Sequence, residues 1–269
     1  MPELPDVELF KQHLDATCLG RTIRRVTVND ARIVSEVSAI EFCRRLHGAR
    51  LTRSQRHGKH LLVDLESQGW LTMHFGMNGS LRHFAEGEDD PPYDRVRFDF
   101  ADDHHLAYVN PRLLGRVGLA TDPAAFIAKE GLGPDALDPH FDLAAFERAL
   151  GGRKRDLKSL LMDQAVIAGI GNIYSDEILF QARLHPRDSS DRLTAGATKR
   201  LFNCIKQVLQ TAVDARAGAE RLLDRLPRSF LIPNREKGGL CPRCGGQIIA
   251  AKFSGRTAYY CPRCQPEPG

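Results

Sequence analysis

Pro2 and Glu3 stand side by side at the start of the chain, and the pair is equipped for covalent chemistry. Once Met1 is removed, Pro2 carries a terminal secondary amine with a carboxylate as its neighbour. A secondary amine attacks carbon at the aldehyde level and forms an iminium, a strong electron sink. An α-amine titrates near pH ~8, far below a lysine, so much of it is neutral at physiological pH. At the other end, Cys241-Pro242-Arg243-Cys244 and Cys261-Pro262-Arg263-Cys264 form two tight pairs with sixteen residues between them. Such pairs place four thiolates around one tetrahedral zinc and leave no ligand position open. The ion is therefore expected to hold structure and not to activate water. A disulfide or redox pairing is the competing reading. Cys18, Cys43 and Cys204 are scattered and read as small buried side chains.

The elements around these residues must position them. Composition sets the frame: 269 residues, 42% hydrophobic and 27% charged, describe a folded chain long enough for two modest domains or one large one. No run of about 18 apolar residues is present, so no membrane span is expected. The start lacks a basic segment followed by an apolar one, so it does not read as a signal peptide, and the cytoplasm is the expected location. Net charge is only +4, but the charge is clustered. From Phe42 to Val63 there is no acid, against Arg44, Arg45, Arg50, Arg53, Arg56 and Lys59. From Cys241 onward Arg243, Lys252, Arg256 and Arg263 face only Glu267. Clusters of this kind neutralise phosphates and release counterions, or else form an ordinary solvated surface.

Residues 1 to about 120 read mostly as strands. Arg21–Val28, His60–Leu65, Leu71–Phe75 and Arg95–Phe100 show β-type composition with partial alternation, which suits a sandwich or barrel. A short helix is expected from Pro5. Beyond the glycine- and proline-rich stretch 122–141 the pattern turns helical, at Leu143–Leu150, Leu157–Ala168, Ser175–Ala182 and Thr194–Val213. Between two of these, Gly169-Ile170-Gly171-Asn172 allows a sharp turn whose N–H groups are available to a phosphate. Ala217-Gly218-Ala219 breaks the pattern, and Glu220–Leu226 resumes it. Gln247–Phe253 and Thr257–Tyr260 form a hairpin around Ser254-Gly255 that returns Cys261 to Cys244.

These motifs, in this order, resemble the formamidopyrimidine-DNA glycosylases, the helix–two-turn–helix branch of base-excision repair enzymes. The likeness is carried by Pro2-Glu3-Leu4-Pro5, Gly58-Lys59-His60-Leu61-Leu62 and Met73-His74-Phe75-Gly76-Met77-Asn78-Gly79. It continues through Leu161-Met162-Asp163-Gln164, Gly169 to Glu177, Gly255-Arg256 and Tyr260 to Gln265, and so spans nearly the whole chain. The resemblance implies an α+β fold: an N-terminal β-sandwich with flanking helices, then a C-terminal helical domain with the helix–two-turn–helix motif and a zinc-bound β-hairpin. The corresponding boundaries are 1–120, a linker over 121–136, a helical DNA-binding domain over 137–232 and a zinc module over 233–269.

It also implies a bifunctional DNA glycosylase and abasic-site lyase acting on double-stranded DNA with damaged bases or abasic sites, as a monomer. Pro2 attacks C1′ of a flipped nucleotide, and the backbone is cut by β- and then δ-elimination. Glu3 moves protons at the opening sugar, and Lys59 contacts the flanking phosphate and assists. Asn172 and Arg256 clamp phosphates, Lys158 is a further DNA contact, Met77 fills the gap in the helix and Arg112 faces the orphaned base. Alone, Pro2-Glu3 suits an ordinary terminus, Lys59 a surface and Met77 a core; together with the cysteine pairs and the glycine turn they read as one site.

The departures bear on substrate. Asp6 replaces the usual glutamate. Asn110-Pro111-Arg112-Leu113-Leu114-Gly115 replaces Asp-Pro-Arg-Arg-Phe-Gly, so Leu114 fills as an apolar wedge without aromatic stacking. The usual Val-Tyr-Gly-Arg approach to the zinc module is absent, and Phe230 to Arg235 stands in its place. The glycine- and serine-rich loop that covers oxidised guanine is not recognisable between Val213 and Leu226. A reduced cap predicts weaker or altered lesion choice, toward ring-opened purines, oxidised pyrimidines or preformed abasic sites. The alternative function is a damaged-DNA or abasic-site binding protein with lyase activity and little base excision. A zinc-dependent nuclease fits poorly, because all four clear ligands are cysteines.

Overall fold

The computed structural model describes residues 1–66, 68–218, 222–253 and 255–267. Two compact units emerge. Met1–Pro2 and Val7–Glu130 form one, and Glu3–Asp6 with Gly131–Gly269 form the other. Among the described residues no helix is long and apolar enough to cross a membrane.

The first unit holds two four-stranded antiparallel sheets. β1 (Ile23–Val28), β5 (Ser80–Ala85), β6 (Asp94–Phe100) and β7 (His104–Val109) make one, in the order β1-β6-β7-β5. β2 (Ser54–His57), β3 (His60–Asp64), β4 (Trp70–His74) and β8 (Arg116–Ala120) make the other, in the order β2-β3-β4-β8. Alternation sends Val96, Phe98 and Phe100 inward from β6, and Leu61, Val63 and Met73 inward from β3 and β4. They share one core with Tyr108 and Val117, which makes the pair of sheets a sandwich. Three helices flank it: α1 (Leu4–Cys18), α2 (Ala39–Leu46) and α3 (Pro123–Lys129). The helix expected from Pro5 is thus fifteen residues long and starts at Leu4. The stretch 121–136, read as a linker, contains α3, because Asp122 caps it by accepting from Ala125 N–H and Pro123 sits in its first turn.

The second unit contains α4 (Leu143–Leu150), α5 (Leu157–Met162), α6 (Asn172–Ala182) and α7 (Ala195–Asp214), followed by the hairpin β9 (Ile249–Phe253) and β10 (Arg256–Tyr260). Asp142, Asp156 and Thr194 cap α4, α5 and α7 by accepting N–H three residues on. Leu160, Ile170, Tyr174, Leu201 and Leu209 lie in its core, together with Leu4 from the start of the chain. α5 stops at Met162 and does not run to Ala168 as expected. Gln164 explains the stop: its amide donates to Met162 O and Ile170 O at 2.8 Å and accepts from Gly169 N–H at 3.0 Å. Those bonds fold 163–171 into a fixed turn. Of the helical stretch expected at Glu220–Leu226, Glu220 and Arg221 lie outside the described residues, as does Ala219 before it, and Leu223–Arg225 form a single 3-10 turn. Ser254 of the expected hairpin turn also lies outside them.

Candidate functional site

In the sandwich unit, the residues singled out from sequence sit at turns where strands end. β2 and β3 pair with His57 opposite His60, so Gly58 and Lys59 are a two-residue hairpin turn, with Gly58 at a positive φ of 57°. Arg56 stiffens this turn: its guanidinium donates to Gly58 O at 3.2 Å and to Glu8 Oε2 at 3.0 Å. Lys59 is 5% exposed, which is unusual for a lysine in a tight turn. Part of the basic run read as a phosphate surface is therefore internal bracing, since Arg56 is spent on Glu8 and Gly58.

Met77 and Leu114 are large apolar side chains left 43% and 51% exposed. Met77 lies in the loop from β4 to β5, and Leu114 in the loop from β7 to β8. Buried Asn110 ties the two loops together. Its Nδ2 donates to Phe75 O at 3.0 Å and to the Tyr108 hydroxyl at 3.3 Å. Its Oδ1 accepts from Leu114 N–H at 3.1 Å and Gly115 N–H at 3.4 Å. A Cβ on Gly76 would lie 2.4 Å from the Leu114 carbonyl carbon, so only glycine lets the loops meet. Leu113 adopts a left-handed φ of 54° and packs on the sandwich core, while Arg112 and Leu114 on either side of it are less enclosed.

In the helical unit, Glu3 is sealed into the turn before α6. Oε2 accepts from Gly171 N–H at 2.7 Å and Tyr174 N–H at 3.2 Å, and Oε1 from Ile173 N–H at 2.8 Å. Leu4 N–H donates to Gly169 O at 3.0 Å, and Glu3 N–H donates to Asp6 Oδ2 at 2.9 Å. The shorter Asp6 thus serves as the cap of α1 in place of glutamate. A Cβ on Gly171 would sit 2.4 Å from Glu3 Cδ, and one on Gly169 would sit 2.6 Å from Leu4 Cδ1. Both glycines make room for the chain's first residues. The expectation that this turn offers its N–H groups to a phosphate is corrected at Gly171, Ile173 and Tyr174, whose donors are taken by Glu3.

Lys158, expected as a DNA contact, is corrected as well. It is fully buried, and its Nζ donates to Asn172 O and Asp176 Oδ1 at 2.6 Å and to Ser175 Oγ at 2.7 Å. Burial draws its pKa down from the usual lysine range, against the lift from Asp176. No donor remains for a nucleic acid. Asp176 Oδ2 meanwhile accepts from Arg235 at 2.8 Å and from Tyr259 N–H at 3.1 Å, and the Arg235 guanidinium lies 4.5 Å over the Tyr259 ring. Asp176 therefore joins the start of α6, where Asn172 sits, to β10, which carries exposed Arg256. Asn172 Oδ1 is buried without a hydrogen-bond partner. Asn110, Asp176 and Arg235 lie in runs already singled out in the sequence, but their bracing roles were not expected from it.

The four cysteines do come together. Their sulfurs all lie within 4.8 Å of one another, with Cys241 Sγ to Cys264 Sγ at 3.8 Å and Cys244 Sγ to Cys261 Sγ at 3.5 Å. Tetrahedral zinc with Zn–S near ~2.3 Å sets sulfurs about 3.8 Å apart, so the cluster fits one structural zinc ion. Arg243 lies 4.2 Å over the Phe180 ring and donates to Phe180 O at 3.0 Å, and Gln265 donates to Leu184 O at 2.8 Å. These contacts fasten the knuckle to the end of α6.

Comparison with known proteins agrees with this geometry along the whole chain. The formamidopyrimidine-DNA glycosylase N-terminal domain matches residues 1–117, its H2TH domain residues 132–223, and the zinc finger found in FPG and IleRS residues 238–266. A formamidopyrimidine-DNA glycosylase of Heliobacterium modesticaldum is 37% identical over 276 residues, covering 98% of this chain and 100% of the relative. The chain belongs to the formamidopyrimidine-DNA glycosylase family. Among solved structures, MutM in complex with DNA containing carbocyclic 8-oxo-G superposes with a TM-score of 0.90 at 26% identity, covering 99% of this chain and 100% of that one. The Lactococcus lactis glycosylase bound non-covalently to DNA with an AP site gives 0.87 at 27% identity, covering 98% and 100%. The family's sandwich, helical domain and four-cysteine hairpin are all present here.

Proposed function

We propose that this chain removes damaged bases from duplex DNA and then cuts the backbone at the resulting site, with Pro2 as the nucleophile. It is a bifunctional DNA glycosylase and abasic-site lyase of base-excision repair. The observation that carries the assignment of roles is the lock on Glu3: three N–H groups fix its carboxylate one residue from the Pro2 nitrogen. After loss of Met1, the neutral Pro2 amine attacks C1′ of an extruded nucleotide. The glycosidic bond from C1′ to the base breaks, the base departs with the electron pair and takes up a proton, and the amine loses its own proton; the C1′–O4′ bond then breaks, O4′ takes up a proton, and the iminium forms. Removal of a proton from C2′ expels the 3′ phosphate, and a second elimination expels the 5′ phosphate. Glu3, held as an acceptor, is the group placed to move those protons.

Reaching C1′ requires taking the nucleotide out of the stack. Met77 and Leu114, exposed on loops locked together by Asn110, act as the apolar wedge, and Arg112 beside them faces the unpaired base. Lys59, Asn172 and Arg256 bind phosphates. The chain works as a cytoplasmic, DNA-bound monomer, which sedimentation of the purified protein checks. Between the end of α7 at Asp214 and the 3-10 turn at Leu223, the chain leaves little length for a covering loop. Lesion choice is accordingly weaker or altered, toward ring-opened purines, oxidised pyrimidines or preformed abasic sites.

Borohydride trapping on a panel of damaged duplexes, followed by peptide mapping of the adduct, tests both parts. The expected adduct is on Pro2 of protein lacking Met1, and protein that keeps Met1 forms none. An adduct on a lysine, or an equal yield with Met1 attached, overturns the nucleophile. Fast, selective excision of oxidised guanine opposite cytosine overturns the lesion preference.

A further inference from the structure

The hairpin that presents Arg256 is anchored at one end by the cysteines, because Cys261 directly follows β10. Its tip is at the other end. Arg256 lies about 13 Å along the strand from Tyr260, at ~3.3 Å per residue. Two strands alone are marginal in water, so a tip at that distance needs a second anchor. Pairing sets Phe253 opposite Arg256 and Ile249 opposite Tyr260, and alternation puts Arg256, Ala258 and Tyr260 on one face with Phe253. Phe253, Ala258 and Tyr260 are buried, in a cluster separate from the one around Cys241 and Cys261.

The loop between α6 and α7 supplies the other side of that cluster. The His185 ring meets Tyr260 at 4.7 Å and Phe253 at 6.0 Å, each at 84°, and the Arg187 guanidinium lies 5.4 Å over the Phe253 ring. The loop is stiff. His185 N–H donates to Asp188 Oδ2 at 2.7 Å, and Asp188 N–H donates to His185 O at 2.9 Å. Leu157 N–H donates to Asp188 O at 2.9 Å and Lys158 N–H to Pro186 O at 3.2 Å, which fixes the turn to the first residues of α5. His185 itself is 1% exposed. Its Nδ1 accepts from Arg187 N–H at 3.1 Å, which puts the ring proton on Nε2. That nitrogen is buried and has no hydrogen-bond partner among the described residues. An aromatic face accepts an N–H weakly, and Tyr260 and Phe253 are the rings beside it.

We infer that His185 is a positioning residue for the phosphate contact of Arg256: with Arg187 it forms the socket that seats Phe253 and Tyr260, and its ring N–H is met by those rings. His185 touches no nucleic acid in this role and acts through the hairpin. The inference rests on the proposed phosphate contact of Arg256 and adds the group that aims it.

The test is binding of the zinc-loaded full chain to a duplex carrying a tetrahydrofuran abasic analogue, at several salt concentrations. Each phosphate contact adds about 0.9 to the slope with which log affinity falls against log salt. A lower folded fraction reduces the amount bound and leaves that slope alone, so the slope separates positioning from stability. Arg256→Ala, His185→Ala and Phe253→Ala are each expected to lower it by about 0.9. Adding His185→Ala or Phe253→Ala to Arg256→Ala is expected to lower it no further. Phe253 lies outside the core of the helical unit, so its variant reports even where His185→Ala fails to fold. In the wild type the His185 Nε2–H is expected as a slowly exchanging NMR resonance that shifts in Tyr260→Leu. A wild-type slope in Phe253→Ala or in folded His185→Ala, beside a reduced slope in Arg256→Ala, overturns this inference alone. So does a further full loss in the double variants, or a ring N–H unmoved in Tyr260→Leu. A wild-type slope in Arg256→Ala overturns the phosphate role of that arginine, and the inference with it.

Discussion

Gly171 has no room for a methyl group: a Cβ there would meet Glu3 Cδ at 2.4 Å. Gly171→Ala must therefore push the carboxylate off its three N–H donors. Strand cutting at an abasic site is expected to fall by at least about tenfold, because a shift of one ångström at a proton-transfer group is enough for that. Gly196, in the first turn of α7 with nothing within 4 Å of its would-be Cβ, is the matched control. Gly196→Ala is expected to keep full activity and gain up to about 1 kcal/mol of stability, read by gel assay and denaturation on the same preparations. Asp94 makes a separate prediction. Both of its oxygens are buried without partners, and burial, reinforced by Asp90 and Asp99 and opposed by Arg97, pushes it up to about 6. The folded state then holds the proton more tightly than the unfolded chain, so this group's contribution is complete below about pH 4 and is lost as pH rises through about 6. Asp94→Asn is expected to melt higher than the wild type at pH 7.5, by about 1–3 kcal/mol of stability, with the difference gone by pH 4.

At the scale of elements, the start of α6 is held by charges that cannot be removed singly. Asp176 is buried between Lys158, itself fully enclosed, and Arg235. Asp176→Ala strands a buried ammonium and is expected to cost about 3–5 kcal/mol in denaturation of the helical unit, followed by its far-UV signal; Asp176→Asn should cost less. This brace was not legible in the sequence. A lysine between a leucine and a serine reads as a surface or phosphate group, and only the fold shows three acceptors around its Nζ. The elements that could be read were those whose side chains declare themselves locally. β6 carries Val96, Phe98 and Phe100 in alternation, and α4 has apolar residues at helical spacing behind an Asp142 cap. β8, Arg116-Val117-Gly118-Leu119-Ala120, and β7, which opens on two histidines, offer little β propensity of their own; pairing with β4, β5 and β6 makes them strands. α2 and α3 did carry signals: Ser38 with Glu41 stands just before the basic run that begins at Phe42, and Asp122 with Pro123 lies inside a segment read for its glycines and prolines. At the site, the cysteine pairs and the Gly-Ile-Gly-Asn turn were readable because their spacing is fixed by geometry. The occupant of the turn was not, since Glu3 is far away in sequence, 168 positions from Gly171, and only the fold brings the two together.

At the scale of the whole molecule, the four-cysteine knuckle has too small a core of its own to hold β9 and β10 in place. Phe180, Leu231 and Ile248 pack around Cys241 and Cys261, and Phe253, Ala258 and Tyr260 form a separate small cluster. Zinc therefore supplies folding free energy for the segment that presents Arg256. Cys244→Ser, or removal of the metal with a chelator, is expected to lower duplex affinity by at least about tenfold at fixed salt, while the sandwich retains its structure. Wild-type affinity in metal-free protein, measured by fluorescence anisotropy, would contradict this. The assignment of Glu3–Asp6 to the unit built from Gly131 onward has a further consequence, for the order of events during synthesis. A ribosome adding about 5–20 residues per second needs roughly 10–35 s to travel from Glu3 to Tyr174, and until then the N–H groups that receive the carboxylate do not exist. For that interval the leading residues dangle from a nascent chain, open to any aminopeptidase that trims methionine. The window for trimming Met1, and so for exposing the proposed nucleophile, thus opens before the site around Glu3 can close.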